Sequence, residues 1–300
     1  MTKIVNEVSG IIFSLPWLVA RDEGLFDEEG VVVEFTTARP LEGPHWVDDH
    51  RLVPSIGPHR PFEEGAAGVY RACEWGQIRR SYDSERGGLI IGKRSSIGIQ
   101  ALFSAPDSPF THPQTLKNQK IGVTFHTGSH YATLQMLEGF LKRDEIKVVN
   151  VPMEEGYEAL LDGRLAAVSF MDPWISLAEK EGYQKLIETH YTGSEIAASE
   201  VDPKSWAAAT RALTRAVERI NADKKKYLHY IIDSLPEKYR GRLTADDVHL
   251  PRLRYVNPSP YAREEFEQTF EWLVGWGLVK SDKPFEALVD NRTPNAAAAA

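Results

Sequence analysis

The 300-residue sequence contains one cysteine, Cys73, so the chain cannot form an internal disulfide bond. It also lacks an excess of positive charge, because 35 Lys and Arg residues against 43 Asp and Glu residues give a net charge of −8. Nucleic acids and anionic membrane surfaces attract proteins through clustered positive charge. The composition therefore argues against both of these partners and favours a small-molecule ligand.

No apolar run is long enough for direct membrane insertion, since the stretch at 11–20 is short and interrupted. The first seven residues do not have the pattern of a secretory signal, so a cytoplasmic location is expected for the sequence as written. A periplasmic location is expected instead if a leader has been removed. The alanine run at 296–300 is interpreted as a tail outside the fold.

The spacing of apolar residues predicts an α/β protein. A strand at 3–8, a helix and a strand at 31–35 form a βαβ unit, and a second series of alternating strands and helices covers 120–181. After Gly193 the pattern becomes mostly helical. Helices of this kind are expected to return and cover the first part of the chain.

Two segments, 65–75 and 163–174, share one pattern, a short apolar strand that ends at an acidic residue and a Trp. Ligands of open parallel sheets bind beyond the carboxyl ends of the strands, so two such ends would face one cleft. We therefore predict two doubly wound lobes with a ligand cleft between them. The predicted domains are lobe I (1–103 and 193–295) and lobe II (104–192).

Four motifs follow one another along the chain: PWLVARDEGLFDEEG at 16–30, LKNQKIGV at 116–123, GSHY at 128–131 and DPW at 172–174. Together they resemble the type II periplasmic-binding-protein fold, in the branch of the alkanesulfonate, taurine and nitrate binding proteins and the thiamine-pyrimidine synthases. The resemblance implies two lobes that close on a small anion or a heteroaromatic ring. It also implies an ABC transporter permease as a partner.

Some members of the same branch are cytosolic enzymes, including aromatic sulfinate desulfinases, dihydroxyphthalate decarboxylases and the pyrimidine synthases. This sequence departs from their patterns. The loop after the first strand, where the desulfinases carry a cysteine, reads GIIF at 10–13, and the cysteine-rich motif of the synthases is absent. The leading hypothesis is therefore a solute-binding protein, and the alternative is a cytosolic lyase-type enzyme on the same fold.

The best candidate for an anion site is the start of the helix after the strand at 120–123. Amides of a first helical turn lack partners within the helix and carry partial positive charge. Gly128 and Ser129 would offer such amides, and the Thr127 and Ser129 hydroxyls would add donors. His126 and His130 flank this turn, as hydrogen-bond donors or, in an enzyme, with His130 as the acid or base.

Cys73 lies at a predicted strand end before a helix, a position that can lower the pKa of a thiol and make it a nucleophile. The alternative is a small apolar residue of the core. The other candidate ligand contacts lie near strand ends or first helical turns. Flat rings can stack on a ligand and carboxylates can bind it, although core packing and helix capping compete with both roles. These candidates are Ser14, Trp17, Glu74, Trp75, Asp172 and Trp174.

The long irregular segment at 37–60 contains His45, Asp48, Asp49 and His50, residue types that can ligate a metal ion. Their spacing matches no metal signature, so a lid is preferred and no metal is predicted. The sequence also lacks a Gly-rich dinucleotide or phosphate-loop pattern. No cofactor is therefore expected.

Overall fold

The structure is a computed structural model that describes residues 3–40 and 43–294. Its strands form two five-stranded mixed sheets, and helices cover the sheets. The alanine tail predicted at 296–300 lies outside the described residues. The strands are β1 (Ile4–Val8), β2 (Val33–Thr37), β3 (Val69–Cys73), β4 (Leu89–Lys93), β5 (Gly98–Ser104), β6 (Lys120–Val123), β7 (Lys147–Asn150), β8 (Ala167–Phe170), β9 (Gln184–Tyr191) and β10 (Gly193–Ala197).

The helices are distributed over the whole described chain, with several short 3-10 turns between them. None of the described helices has both the length and the apolar character needed to cross a membrane. The helices are α1 (Ile11–Asp22), α2 (Leu25–Glu28), α3 (Arg60–Glu63), α4 (Glu74–Arg80), α5 (Gly128–Glu138), α6 (Met153–Leu161), α7 (Trp174–Lys180), α8 (Pro203–Ala222), α9 (Leu228–Ile232), α10 (Glu237–Arg240), α11 (Arg263–Gly275) and α12 (Phe285–Leu288).

Each sheet is the centre of one lobe. The first sheet has the order β2-β1-β3-β10-β4, and the second has the order β7-β6-β8-β5-β9. Strands β1, β2 and β3 run parallel, as do β6, β7 and β8, so each lobe presents three carboxyl strand ends at one edge. The predicted α/β, two-lobed fold is confirmed. The carboxyl ends of the three parallel strands in each lobe are the positions at which a ligand cleft is expected.

Three strands were not foreseen, and all three are antiparallel to their neighbours. Strand β5 follows β4 of the first sheet but pairs with β8 and β9 in the second, and β10 follows β9 but pairs with β3 and β4 in the first. The chain therefore passes between the sheets at 94–97 and at Thr192. Strand β5 lies in the second sheet, although the sequence-based boundary at 103 assigned it to lobe I.

The long helix α8 covers the first lobe because its sequence is amphipathic. Its buried residues include Trp206, Leu213 and Ile220, which recur at helical spacing and pack in the main hydrophobic core. The helix begins where the carboxylate of Asp202 accepts a hydrogen bond from the Ser205 amide at 2.9 Å. Helix α8 also packs against α1 and α2, so the C-terminal helices return to lobe I as expected.

Candidate functional site

A cavity of about 530 Å³ lies between the two sheets. Lobe I reaches it through the ends of β1, β2 and β3 and the loops that follow them, and lobe II through the ends of β6, β7 and β8. This is the position at which open α/β sheets bind ligands. Most of the wall is apolar, and its apolar members include Val8, Ile11, Phe13, Pro152, Met153 and Met171.

Two buried arginines of lobe I line the cavity, and the first of them is fully occupied. The guanidinium of Arg71 donates to the backbone oxygen of Glu7 at 2.9 Å and to the hydroxyl of Ser14 at 3.1 Å. It also donates to the side chain of Asn6 and lies 3.4 Å from a carboxylate oxygen of Glu195. Arg71 therefore positions the strand ends and brings its charge to the cavity wall with little donor capacity left.

The second arginine, Arg80, is different because it has a free donor. Its Nε donates to the backbone oxygen of Ser55 at 2.7 Å, and its Nη2 donates to the backbone oxygen of His126 at 3.1 Å. Its Nη1 is buried and has no partner among residues 3–40 and 43–294. No described carboxylate pairs with this side chain, which is only 4% exposed. A buried cation without a counter-ion is costly, so this position is suited to an anion.

Lobe II contributes the start of α5, as the sequence predicts. Thr127 caps the helix, because its hydroxyl accepts a hydrogen bond from the Ser129 amide at 3.2 Å and donates to the backbone oxygen of Thr124 at 2.8 Å. Thr127, Gly128 and Ser129 all line the cavity. The Ser129 hydroxyl accepts from the Thr124 amide at 3.2 Å, so it holds the turn in place. Gly128 is the first residue of α5, so its amide has no acceptor within the helix.

Gln100 of β5 also lines the cavity, and sequence reasoning missed it. Its side chain is fully buried, yet neither Oε1 nor Nε2 has a hydrogen-bond partner in the described part of the chain. Buried polar groups are nearly always paired. An unpaired carboxamide on the wall of a cavity therefore marks a position at which a ligand completes the hydrogen bonding.

A buried acid and histidine form a third polar feature of the wall. The Nδ1 of His59 lies 2.6 Å from a carboxylate oxygen of Glu7, and His59 lines the cavity. Burial, aided by the charge of Arg80, lowers the pKa of His59 to about 4, so the ring is neutral at pH 7.

Lowering the pH from about 7.5 to about 5 is expected to cost the wild-type protein about 2 kcal/mol more stability than it costs the His59→Gln variant. In the unfolded chain, the His59 ring binds a proton as the pH falls through the ordinary His pKa of 6.5. In the folded protein, the ring stays neutral until the pH reaches its lowered pKa of about 4. This contribution is therefore present above about 6.5 and lost between about 6.5 and 4. Urea unfolding at the two pH values measures it, and an identical pH dependence in both proteins would contradict the assignment.

Cys73 lies in the cavity wall, but its surroundings do not activate it. Its sulfur accepts a hydrogen bond from the Gly76 amide at 3.3 Å. Burial raises the pKa of the thiol, and this effect outweighs the nearby charges of Arg80 and Arg94. At neutral pH the side chain is therefore a thiol. A thiol is a much weaker nucleophile than a thiolate.

The three tryptophans that the sequence offers as candidate ligand contacts lie in the core and do not line the cavity. Trp17 is fully buried and donates from Nε1 to Glu195 at 3.1 Å. Trp75 packs behind the cleft against Tyr191, and Trp174 packs against Tyr157 in lobe II. These rings are large enough to fill the space between sheet and helices, and that packing keeps them from the cleft.

The other predicted contacts are also held by protein groups. Ser14 does not cap α1, which begins at Ile11 after Gly10; its hydroxyl donates to the Ser9 backbone oxygen at 2.7 Å. Glu74 accepts hydrogen bonds from Thr192 at 3.0 Å and Tyr261 at 3.1 Å, and burial raises the pKa of its carboxyl. Neither Ser14 nor Glu74 lines the cavity.

Asp172 lies just before the start of α7 and does not line the cavity. Its carboxylate accepts from the Ser176 amide at 3.0 Å and from Nε of Arg252 at 2.7 Å, and both charged side chains are only 3% exposed. The N-cap residue of α7 is Pro173, so Asp172 supports the first turn from the position before the cap.

His126 and His130 lie beside the turn at 127–129, the candidate anion site, but they do not line the cavity. His126 has a φ of 59° and donates from Nε2 to the backbone oxygen of His50 at 2.8 Å. Burial lowers the pKa of His126 to about 4 and holds the pKa of His130 well below its ordinary value. His130 packs against Phe125 and Tyr131, with no contact to the cavity.

The segment 44–50, termed the strap, belongs by sequence to lobe I but docks on lobe II. The Trp46 amide donates to the backbone oxygen of Asn150 at 2.8 Å, and the Asn150 amide donates to that of Val47 at 2.8 Å. His45 pairs with Glu155 at 2.8 Å. No three metal-ligating side chains come together in the described ranges, this segment included. Two backbone hydrogen bonds thus join the strap to Asn150, the last residue of β7.

The residues that sequence reasoning missed have one signal in common. Arg71 and Gln100 interrupt strands whose other residues are all buried, and Arg80 ends a buried helix. A charged or amide side chain within a fully buried strand must find a partner or face a cavity. The sequence shows this pattern for Arg71, whose strand was predicted, but not for Gln100, because β5 was not predicted.

The fold agrees with comparisons to known proteins. The NMT1-like family model matches residues 105–229, and no curated protein sequence matches the chain. The alkanesulfonate-binding protein SsuA of Xanthomonas axonopodis pv. citri, bound to MOPS, has a TM-score of 0.71 at 12% identity, with 98% of each chain covered.

Two further solved structures are also similar. The periplasmic aliphatic sulphonate binding protein SsuA of Escherichia coli has a TM-score of 0.71 at 12% identity, over 96% of this chain and 91% of that one. The desulfurization enzyme DSZB, in complex with biphenyl-2-sulfinic acid, has a TM-score of 0.63 at 14% identity, over 96% and 95%. The chain therefore has the type II periplasmic-binding fold, in the structural neighbourhood of the alkanesulfonate-binding proteins.

Proposed function

We propose that this protein is a solute-binding protein that captures a small organic anion or a (hetero)aromatic acid between its two lobes. The observation that carries the proposal is Arg80, a buried guanidinium in the cavity wall with a free Nη1 and no carboxylate partner in the described chain. An anion placed there would gain charge-assisted hydrogen bonds and would neutralise a buried charge.

The remaining wall fits the rest of such a ligand. A cavity of about 530 Å³ is large enough for a substituted ring, and its apolar side chains would bury that ring. The amide of Gly128, at the start of α5, would add a donor from lobe II. Contacts from both lobes would let the ligand stabilise their closed arrangement.

The periplasmic-binding fold and the sulfonate-binding relatives support a role in uptake. The relatives are named as sulfonate-binding proteins, one of them periplasmic. On this proposal the protein delivers its ligand to an ABC transporter permease. It would do so from the periplasm if the natural chain carries a leader.

A ligand screen tests the proposal directly. Benzenesulfonate and benzoate at saturating concentration are expected to raise the melting temperature by several degrees, because a ligand at about 100 times its Kd stabilises by about 2.7 kcal/mol. Benzenesulfonamide and benzamide have the same ring and no charge, so they serve as matched controls. Equal shifts from charged and neutral compounds, or none from either, would contradict anion capture.

The Glu7–His59 pair favours a second candidate, a lyase-type enzyme. A histidine that lines a cavity and is held by a carboxylate through Nδ1 has the orientation that a general base requires. By contrast, the Cys73 thiol is not activated and His130 does not line the cavity. His59, rather than Cys73 or His130, is therefore the residue that would carry catalysis.

The same screen separates capture from catalysis when its products are analysed. Biphenyl-2-sulfinic acid, the compound bound by the similar enzyme DSZB, is the probe for carbon–sulfur cleavage. Water would supply a proton to the ring carbon and a hydroxyl to sulfur as the C–S bond breaks, which releases biphenyl and sulfite. Sulfite release that the His59→Gln variant lacks would establish the enzyme, and binding without product would support capture.

A further inference from the structure

Gln100 gives information on the ligand that Arg80 does not. It is fully buried, it lines the cavity, and both polar atoms of its carboxamide are without a partner in the described chain. A carboxamide has one donor group and one acceptor group side by side, whichever way round it is placed. The ligand part that meets Gln100 must therefore offer both an acceptor and a donor.

The register of the second sheet places Gln100 at the cleft. Strand β5 runs antiparallel to β8, with Ala101 opposite Phe170, so the preceding residue lies towards the carboxyl end of β8. Met171, the next residue after β8, lines the same cavity. Gln100 is thus placed beside the strand end where ligands of this type of sheet bind.

The two cavity-lining side chains with polar atoms unpartnered in the described chain, Arg80 and Gln100, lie in different lobes. Arg80 belongs to α4 of lobe I, whereas Gln100 belongs to the sheet of lobe II. Gly128 and Ser129 at the start of α5 also line the wall on the lobe II side. A ligand that satisfies Arg80 and Gln100 together must carry a charged end and, apart from it, a neutral polar edge.

A simple sulfonate or carboxylate cannot satisfy Gln100. Such groups only accept hydrogen bonds when ionised, so Nε2 would gain a partner and Oε1 would remain unpaired. An adjacent N–H and C=O, as in a lactam or a cyclic amide, pairs with both atoms at once. Leaving a buried polar group unpaired costs binding free energy, so the pocket discriminates between the two kinds of ligand.

We propose that Gln100 recognises a lactam-type edge, so that the solute is a heteroaromatic acid whose anionic group binds at Arg80 and whose N–H and C=O pair with the Gln100 carboxamide. This inference rests on the proposed capture function and narrows its ligand class. Gln100 sets specificity, and Arg80 supplies the charge.

The test is isothermal titration of three acids with one ring size: benzoate, 6-hydroxynicotinate in its lactam form, and the N-methylated derivative of that lactam. The wild-type protein is expected to bind the lactam at least about tenfold more tightly than benzoate, and N-methylation is expected to remove the gain, because it blocks the donor. This ligand series needs no variant, so misfolding cannot obscure it.

Variants then assign the effect to the residue. Gln100→Met has nearly the same shape without hydrogen-bonding groups, and it is expected to bind benzoate as the wild type does but to lose the tenfold preference. Gln135→Met, on α5 and outside the cavity wall, is the matched control and is expected to keep the preference. A preference that survives in Gln100→Met overturns the assignment.

The outcomes also separate this inference from the function on which it rests. If the three acids bind the wild type equally, with affinity that depends on Arg80, anion capture stands and the lactam edge is wrong. That result would mean that water satisfies Gln100. If none of the acids binds, anion capture fails, and the inference fails with it.

Discussion

Replacing Arg80 with Gln is expected to weaken the binding of benzoate or benzenesulfonate roughly 100-fold, a loss of about 3 kcal/mol. The guanidinium is buried, faces no described carboxylate, and has its Nη1 free at the cavity wall. The variant removes the charge while a neutral amide keeps part of the hydrogen bonding to Ser55 and His126. Isothermal titration of both proteins measures the difference.

Arg79→Gln is the matched control, because the adjacent arginine pairs with Asp83 at 2.9 Å and does not line the cavity. Affinity in this variant is expected to stay within about twofold of wild type. Arg80→Lys keeps the charge but loses the planar donor set, so an intermediate affinity is expected. Unchanged affinity in Arg80→Gln, with the fold intact by circular dichroism, would remove the basis of the proposed function.

Replacing Asp172 with Ala is expected to lower the free energy of unfolding by about 3 to 5 kcal/mol. The variant leaves Arg252 buried with Glu179 as its remaining acidic partner, and it also removes the acceptor of the Ser176 amide and hydroxyl. Urea denaturation at neutral pH measures the change. Binding of benzoate is expected to be unaffected in the folded fraction, because Asp172 does not line the cavity between the sheets.

Asp162→Ala provides the comparison for this loss. Asp162 pairs with Arg164 at 3.0 Å on the surface, where both side chains are about half exposed. Its removal is expected to cost at most about 1 kcal/mol. Similar losses in the two variants, or a loss of affinity specific to Asp172→Ala, would show that Asp172 acts in the cleft instead of supporting α7.

Local patterns predicted the parallel parts of both lobes, because short stretches rich in apolar or β-branched residues, at 4–8, 69–73 and 120–123, alternate with helical patterns. They did not predict β10, at 193–197, whose five residues GSEIA include Ser194 and Glu195. Both side chains are buried by neighbours distant in the sequence. The partner of such a strand is fixed by tertiary pairing, which a local pattern does not contain.

The candidate site divides in the same way. The turn at 127–129 was predicted because strand ends and first helical turns are recognisable from the sequence, and all three of its residues line the cavity. Trp17 and Trp174 were not separable from core residues, since an indole is equally suited to a binding site and to a hydrophobic core. Arg80 and Gln100 are candidate ligand contacts because polar atoms of their side chains have no hydrogen-bond partner in the described chain. The absence of such partners can be recognised only in the three-dimensional structure.

The strap has a kinetic consequence for any solute in the cleft. Segments on both sides of it, at 37–39 and 58–59, line the cavity, while the strap itself is bound to Asn150 and Glu155 of lobe II. Moving lobe II away from the strap would break its backbone hydrogen bonds with Asn150, the hydrogen bond from His126 to His50 and the His45–Glu155 ion pair. The strap would therefore slow dissociation of the ligand without contacting it. The residence time of the ligand would then depend partly on residues outside the cavity wall.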